Sequence, residues 1–163
     1  MVRSILAFGL ICFTAVGVLL SANKAHAQER VGVWELTCDS GLCQAFINVK
    51  DPKADKVLLT WSIFYTEAQD TYSMIVRTPV RVALRPGVRV WLKDQDFADI
   101  PYQVCDGAGC EAVAVLSSRI RNGLSAKEKT NLAFIRYGSA EPDIYEVPIT
   151  GFGEALASLK TLK

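Results

Sequence analysis

Histidine is almost absent from this sequence. Of 163 residues only His26 carries an imidazole, and it stands inside a segment that reads as a cleaved export signal. Arg3 supplies a positive n-region, Ile5 to Ala22 is apolar almost throughout, and Ala25-His26-Ala27 forms a small-x-small cleavage site. The predicted mature chain begins at Gln28 and keeps 136 of the 163 residues, one domain by length. Loss of the leader removes the imidazole, and with it histidine-based acid–base catalysis, histidine-activated nucleophiles and histidine metal ligands. It also removes Cys12, which follows bulky Leu10 and Ile11 and is not placed like the acylated cysteine of a lipoprotein.

Other absences narrow the field further. No stop-transfer pattern follows the leader, so no transmembrane anchor is expected after cleavage. Charge of one sign is not in excess: 18 basic residues face 17 acidic ones, and without Arg3 and Lys24 the mature net charge is −1. That balance argues against a general electrostatic grip on nucleic acid or anionic lipid. There is no Gly-x-Ser-x-Gly elbow, no Gly-x-Gly-x-x-Gly loop and no phosphate-binding Gly-Lys-Ser/Thr, and the one Ser-x-x-Lys, Ser21 to Lys24, lies in the leader. No enzyme, cofactor or metal site is expected. Asp94, Asp96 and Asp99 are the nearest approach to a carboxylate cluster, and on a turn such residues solvate the loop.

What the mature chain does contain is short runs of Val, Ile, Thr and aromatics between Gly, Pro, Asp and Asn clusters, the pattern of antiparallel β structure. Val31 to Cys38 alternates with Trp34, Leu36 and Cys38 on one face, and Cys43 to Lys50 returns after the Asp39-Ser40-Gly41-Leu42 turn. Val57 to Thr66 and Thr71 to Thr78 alternate in the same way. Val80 to Leu84, Val88 to Leu92, Ile100 to Val104, Glu111 to Leu116, Thr130 to Arg136 and Ile144 to Ile149 complete the predicted strands. Lys93 to Asp96 reads as a connecting stretch. Such short strands at this spacing favour a sandwich or barrel. A short helix is expected over Ser117 to Asn122 with Gly123 after its end. A last one places Phe152, Ala155, Leu156 and Leu159 at i, i+3, i+4 and i+7, capped by Thr150 or Gly151.

The four mature cysteines fall into two pairs of equal spacing, Cys38-x4-Cys43 and Cys105-x4-Cys110, each around a turn with Gly and Asp. Disulfides, a four-cysteine zinc site and a redox dithiol compete. Zinc knuckles and redox motifs favour C-x2-C, and an exported chain meets an oxidising space, so structural disulfides are preferred. Facing strands of a hairpin bring such cysteines within disulfide reach, which favours the local pairs among the three possible connectivities.

Two surface patterns invite a recognition reading. Phe64 falls on the opposite strand face from Trp61 and Tyr65 and is expected to join Ile75 in an apolar partner patch. Arg77, Arg81, Arg85 and Arg89 recur every fourth residue and are expected to tend toward one face. Such a row is a solvated, charge-protected edge or a site for an anionic surface.

A run of segments resembles a known family. They are Leu84-Arg85-Pro86-Gly87-Val88, Ile100-Pro101-Tyr102-Gln103-Val104-Cys105, Gly109-Cys110-Glu111-Ala112 and Val147-Pro148-Ile149-Thr150-Gly151-Phe152. With Trp34 and Cys38 before them, their order and spacing resemble the invasion-associated locus B family from about Trp34 to Leu159. The resemblance implies an exported protein of Gram-negative bacteria with an immunoglobulin-like antiparallel β-sandwich and a short C-terminal helix. It carries over no catalytic or ligand residues. The function expected is protein or cell-surface interaction in the envelope, periplasmic or secreted, in the setting of host-cell invasion for the founding members. The alternative is a periplasmic inhibitor or chaperone-like factor, with Asp94 to Asp99 as a protruding inhibitory loop. The partner is an unidentified envelope or host-surface protein.

Overall fold

A computed structural model describes residues 29–51, 53–92 and 95–162. The predicted leader, its cleavage site and Asp94 lie outside the described residues.

Alternating burial builds the first sheet. Strands β1 (Glu29–Val31), β2 (Trp34–Asp39), β3 (Leu42–Lys50), β4 (Val57–Thr66) and β5 (Thr71–Thr78) follow one another as an antiparallel meander. In β4, Leu59, Trp61 and Ile63 are buried, and in β5 Tyr72, Met74, Val76 and Thr78, because a strand turns successive side chains to opposite faces. The stretch predicted as one strand from Val31 breaks at Gly32, whose φ of 59° leaves the β region.

The chain then crosses to a second sheet. β6 (Val88–Leu92) pairs with β7 (Gln95–Ile100), and β8 (Tyr102–Cys105) returns to the first sheet beside β9 (Cys110–Val115). Only Pro101 separates β7 from β8, and its carbonyl accepts from the Val113 amide at 3.3 Å. Proline lacks the N–H that a continuous strand would need, so the predicted strand Ile100 to Val104 is divided between the two sheets. After helix α1 (Ser118–Ser125), β10 (Lys129–Ile135) and β11 (Pro142–Pro148) complete the second sheet, and helix α2 (Phe152–Thr161) closes the chain. The sheet orders are β1-β2-β3-β4-β5-β9-β8 and β11-β10-β6-β7, all pairings antiparallel. Buried residues of both sheets and both helices form one hydrophobic cluster, the interior of a sandwich.

Three expectations need correction. Val80 to Leu84 is not a strand: only Val82 bridges to Arg136, and Arg81 is left-handed with φ 65°. The Lys93 to Asp96 stretch is not wholly a connection, because Gln95 already pairs with Leu92 in the β6–β7 hairpin. Helix α1 runs past Gly123 to Ser125, since one further turn buries Leu124 completely. Its N-cap is Ser117, whose hydroxyl accepts from the Ile120 amide at 3.3 Å.

The sulfurs of Cys38 and Cys43 are 2.00 Å apart, and those of Cys105 and Cys110 are 2.09 Å apart, so both local pairs stand at disulfide distance. Within each pair the two residues face each other directly across a hairpin. Strand directions place the two turns at opposite ends of the seven-stranded sheet. Replacing Cys38 and Cys43 together by Ser is expected to lower unfolding stability by about 2 kcal/mol, the loop-closure term for so short a loop. Urea denaturation measures it.

The N-terminal strands and the C-terminal helix meet at a close crossing. A Cβ on Gly32 would lie 2.2 Å from the Thr150 carbonyl oxygen, and one on Gly151, at φ 84°, would lie 2.8 Å from that of Val31. Gly151→Ala is therefore expected to cost more than ~2 kcal/mol, strain and clash together, read as a lower urea midpoint with the slope unchanged.

Candidate interaction surface

The inner faces of both sheets are consumed by packing, so binding groups have to lie on the outer faces and turns. On the four-stranded sheet, alternation turns Val88, Val90, Leu132 and Phe134 inward and leaves Trp91, Ala133, Ile135 and Ile144 outward. Cross-strand register places Ile144, Ala133, Arg89 and Asp99 in one row over four strands. Ala133 is small, so the row dips at its centre between larger neighbours. Together with Pro86 and Pro142 these residues line a groove of about 410 Å³. Its floor is apolar, and its charged end is the Arg89 guanidinium, which donates to both oxygens of Asp99 at 2.7 and 3.3 Å. The groove went unread in the sequence, although a signal was present: in Val88 to Leu92 the alternation already sets Trp91 opposite Val88, Val90 and Leu92.

The outer face of the seven-stranded sheet carries the predicted apolar pair. Phe64 opposes Ser73 and Ile75 opposes Ser62, so Phe64 and Ile75 are diagonal neighbours, both half-buried. Phe46, opposite Ser62 on the other side, extends the row.

The four arginines do not share a face. Arg77 lies on the outer face of the seven-stranded sheet, where it donates to Glu111 at 2.5 Å and to Asp106 at 2.9 Å. Arg89 belongs to the other sheet. Arg81 and Arg85 sit in the connection between the sheets, and the chain's crossing there is what defeats the fourfold spacing. Of the expected inhibitory loop, Asp94 lies outside the described residues, and Gln95–Ile100 is a strand paired with β6. Among the described residues no group of three or more His, Cys, Asp or Glu side chains is arranged to hold a metal ion. No helix among them is long and apolar enough to cross a membrane.

The family model for invasion associated locus B (IalB) protein matches residues 34–160, from the buried Trp34 of β2 to Lys160 of α2. The chain belongs to the IalB family. Its fold is also that of a solved relative, the invasion associated protein B from Bartonella henselae. The two structures superpose with a TM-score of 0.73 at 22% identity, over 83% of this chain and 96% of that one. No curated protein matches the chain. This IalB chain therefore shares a fold with a protein named for invasion.

One surface carboxylate of this IalB protein is firmly held. Asp106, in the turn between Cys105 and Cys110, accepts from the amides of Ala108 at 2.7 Å and Gly109 at 2.8 Å, and from Arg77. These bonds favour the ionised form, the Ala108 amide most and then that of Gly109, and hold its pKa below the ordinary 3.8. The stability this lends is complete above 3.8 and is lost as pH falls through the lowered folded value. Asp106→Asn is expected to flatten that part of the acid limb, measured as urea midpoints against pH.

Proposed function

We propose that this protein is an exported, non-enzymatic envelope protein that works by binding another protein, with the groove on the four-stranded sheet as its contact surface. The observation that carries the reading is the groove itself. An apolar floor of Trp91, Ala133, Ile135 and Ile144, closed at one end by a bidentate ion pair, suits an extended segment that lays apolar side chains along a sheet. A hydrolytic site would instead need convergent carboxylates, and among the described residues Asp99 is the one carboxylate lining the groove, engaged by Arg89. Export is supported by the leader-like Arg3 to Ala27 and by two cysteine pairs at disulfide distance, which suit an oxidising compartment. Family membership supports a place in the envelope, and the Bartonella henselae relative's name supports a cell-surface encounter as its setting.

A photo-crosslinking side chain at Ile144, expressed in the native bacterium, is expected to give a discrete adduct, while the same group at Phe64 on the opposite sheet gives none. The reverse pattern would move the contact surface to the seven-stranded sheet. Ile144→Asp, at a position 59% exposed, is expected to change stability by less than ~0.5 kcal/mol. It should nevertheless weaken capture of the crosslinked partner about tenfold or more.

A further inference from the structure

Three exposed apolar side chains and two arginines gather at one corner of the molecule. The connection from β5 to β6 runs beside the end of β10. The Tyr137 amide donates to the Arg81 carbonyl at 2.8 Å, Val82 bridges to Arg136, and the Ala83 amide donates to the Ile135 carbonyl at 2.8 Å. The connection's turn and the tip of the β10–β11 hairpin are therefore neighbours. On them Val80 is 41%, Leu84 56% and Tyr137 74% exposed. Isolated exposed apolar residues are ordinary, but a cluster on two adjoining turns is informative.

Most arginines of the described residues are engaged: Arg30, Arg77, Arg89 and Arg136 each hold a carboxylate, and Arg121 lies over the Tyr72 ring. Arg81 and Arg85, like Arg119 of α1, are exposed and form no ion pair among the described residues, and both belong to one short connection. Asp143 on the hairpin is engaged by Arg136, and Glu141 is the other carboxylate there, so the corner stays cationic. Arg81 moreover occupies the left-handed region at φ 65°, which an arginine adopts only at a cost.

We propose that this corner docks the protein on an anionic lipid bilayer. Val80, Leu84 and Tyr137 would enter the interfacial layer while Arg81 and Arg85 meet the headgroup phosphates, the division of labour of interfacial anchors. The apolar groups stand on turns and not in the groove, and turn tips fit a deformable bilayer better than a protein surface, which would need matching hollows. The tips also bring little bare backbone with them: the Gly87 amide donates to Leu84 and the Ser139 amide to Arg136. This docking surface adjoins the groove, which Pro86 and Gly87 of the same turn line, and the Ile144 crosslink tests the groove without lipid.

Flotation of the purified protein with vesicles tests the proposal. Vesicles of phosphatidylcholine with phosphatidylglycerol are expected to carry the protein, and vesicles of phosphatidylcholine alone are not. Arg81→Gly combined with Arg85→Ser is expected to weaken partition about twenty-five-fold, roughly fivefold per cation. The backbone tolerates this change, since glycine favours the conformation at position 81. Leu84→Ser should weaken it about tenfold, while Leu42→Ser, equally exposed at the far end of the molecule, leaves it unchanged. A Tyr137→Trp variant should shift its emission to the blue only with the anionic vesicles. Equal partition to both vesicle types would overturn the proposal. So would wild-type partition of the double arginine variant, or release by polyglutamate beyond that of chloride at the same ionic strength, which would assign the corner to an acidic protein.

Discussion

The sandwich is held shut where its first strands meet its last helix. Trp34 of β2 and Trp61 of β4 pack edge to face with centroids 5.7 Å apart, and Phe152, the first residue of α2, sits 5.6 Å from Trp34. Rings of this size bury large apolar areas, and their edge-to-face geometry adds to that burial. The Trp34 indole N–H donates to the Ile149 carbonyl at 3.4 Å, and the Val33 amide donates to that of Thr150 at 3.1 Å. None of these contacts is reachable unless the two backbones nearly touch, which is why Gly32 and Gly151 face each other there. Residues more than a hundred apart in sequence thus meet at one point, and the helix covers the end of the core that the second sheet leaves open.

That second sheet is kept in place by the way the chain passes between layers. The turn from β7 to β8 at Pro101 ties the two sheets by a single residue, and Gly87 opposite it admits the Ile100 carbonyl, which a Cβ would meet at 2.3 Å. Just beyond, Tyr102 and the buried Thr78 share a hydrogen bond of 3.1 Å, and Thr78 also donates to the Cys110 carbonyl. Burying these polar groups costs little because each finds a partner. The Cys105–Cys110 turn therefore lies where β5, β8 and β9 meet, close to the crossover, and its cross-link stiffens the corner as well as the hairpin.

Most of the strand content was legible, because burial on one face imposes a period of two that no other structure produces. Leu59-Trp61-Ile63 and Tyr72-Met74-Val76 are read directly. The helix after Gly151 was equally plain from Phe152, Ala155, Leu156 and Leu159. The failures share a cause. Val80, Val82 and Leu84 alternate like a strand, yet their neighbours in space are set by a crossing between sheets, which local pattern does not encode. The arginines at every fourth position failed for the same reason. Phe64 and Ile75 could be placed on a common face because they lie in adjacent strands, while the groove around Ala133 combines β6, β10, β11 and the Arg85-Pro86 turn. Sequence shows which way each strand faces, and only topology shows which faces adjoin.

This division also bears on how the family holds its fold across distant sequences. The ion pairs here, such as Arg30 with Glu35 and Lys129 with Glu146, lie on exposed faces where each contributes little to stability. The stabilising work falls on inward positions and on a few glycines at close approaches. Outward positions are accordingly free to change without loss of the sandwich, and a relative at 22% identity keeps the same architecture. The groups the core does not need are the ones left for recognition, and the proposed surfaces, the groove of Trp91 and Ile144 and the corner of Leu84, Arg85 and Tyr137, are both built from them. Two members can then share every buried contact and still meet different partners, so the partner of each has to be sought from its own outer surface.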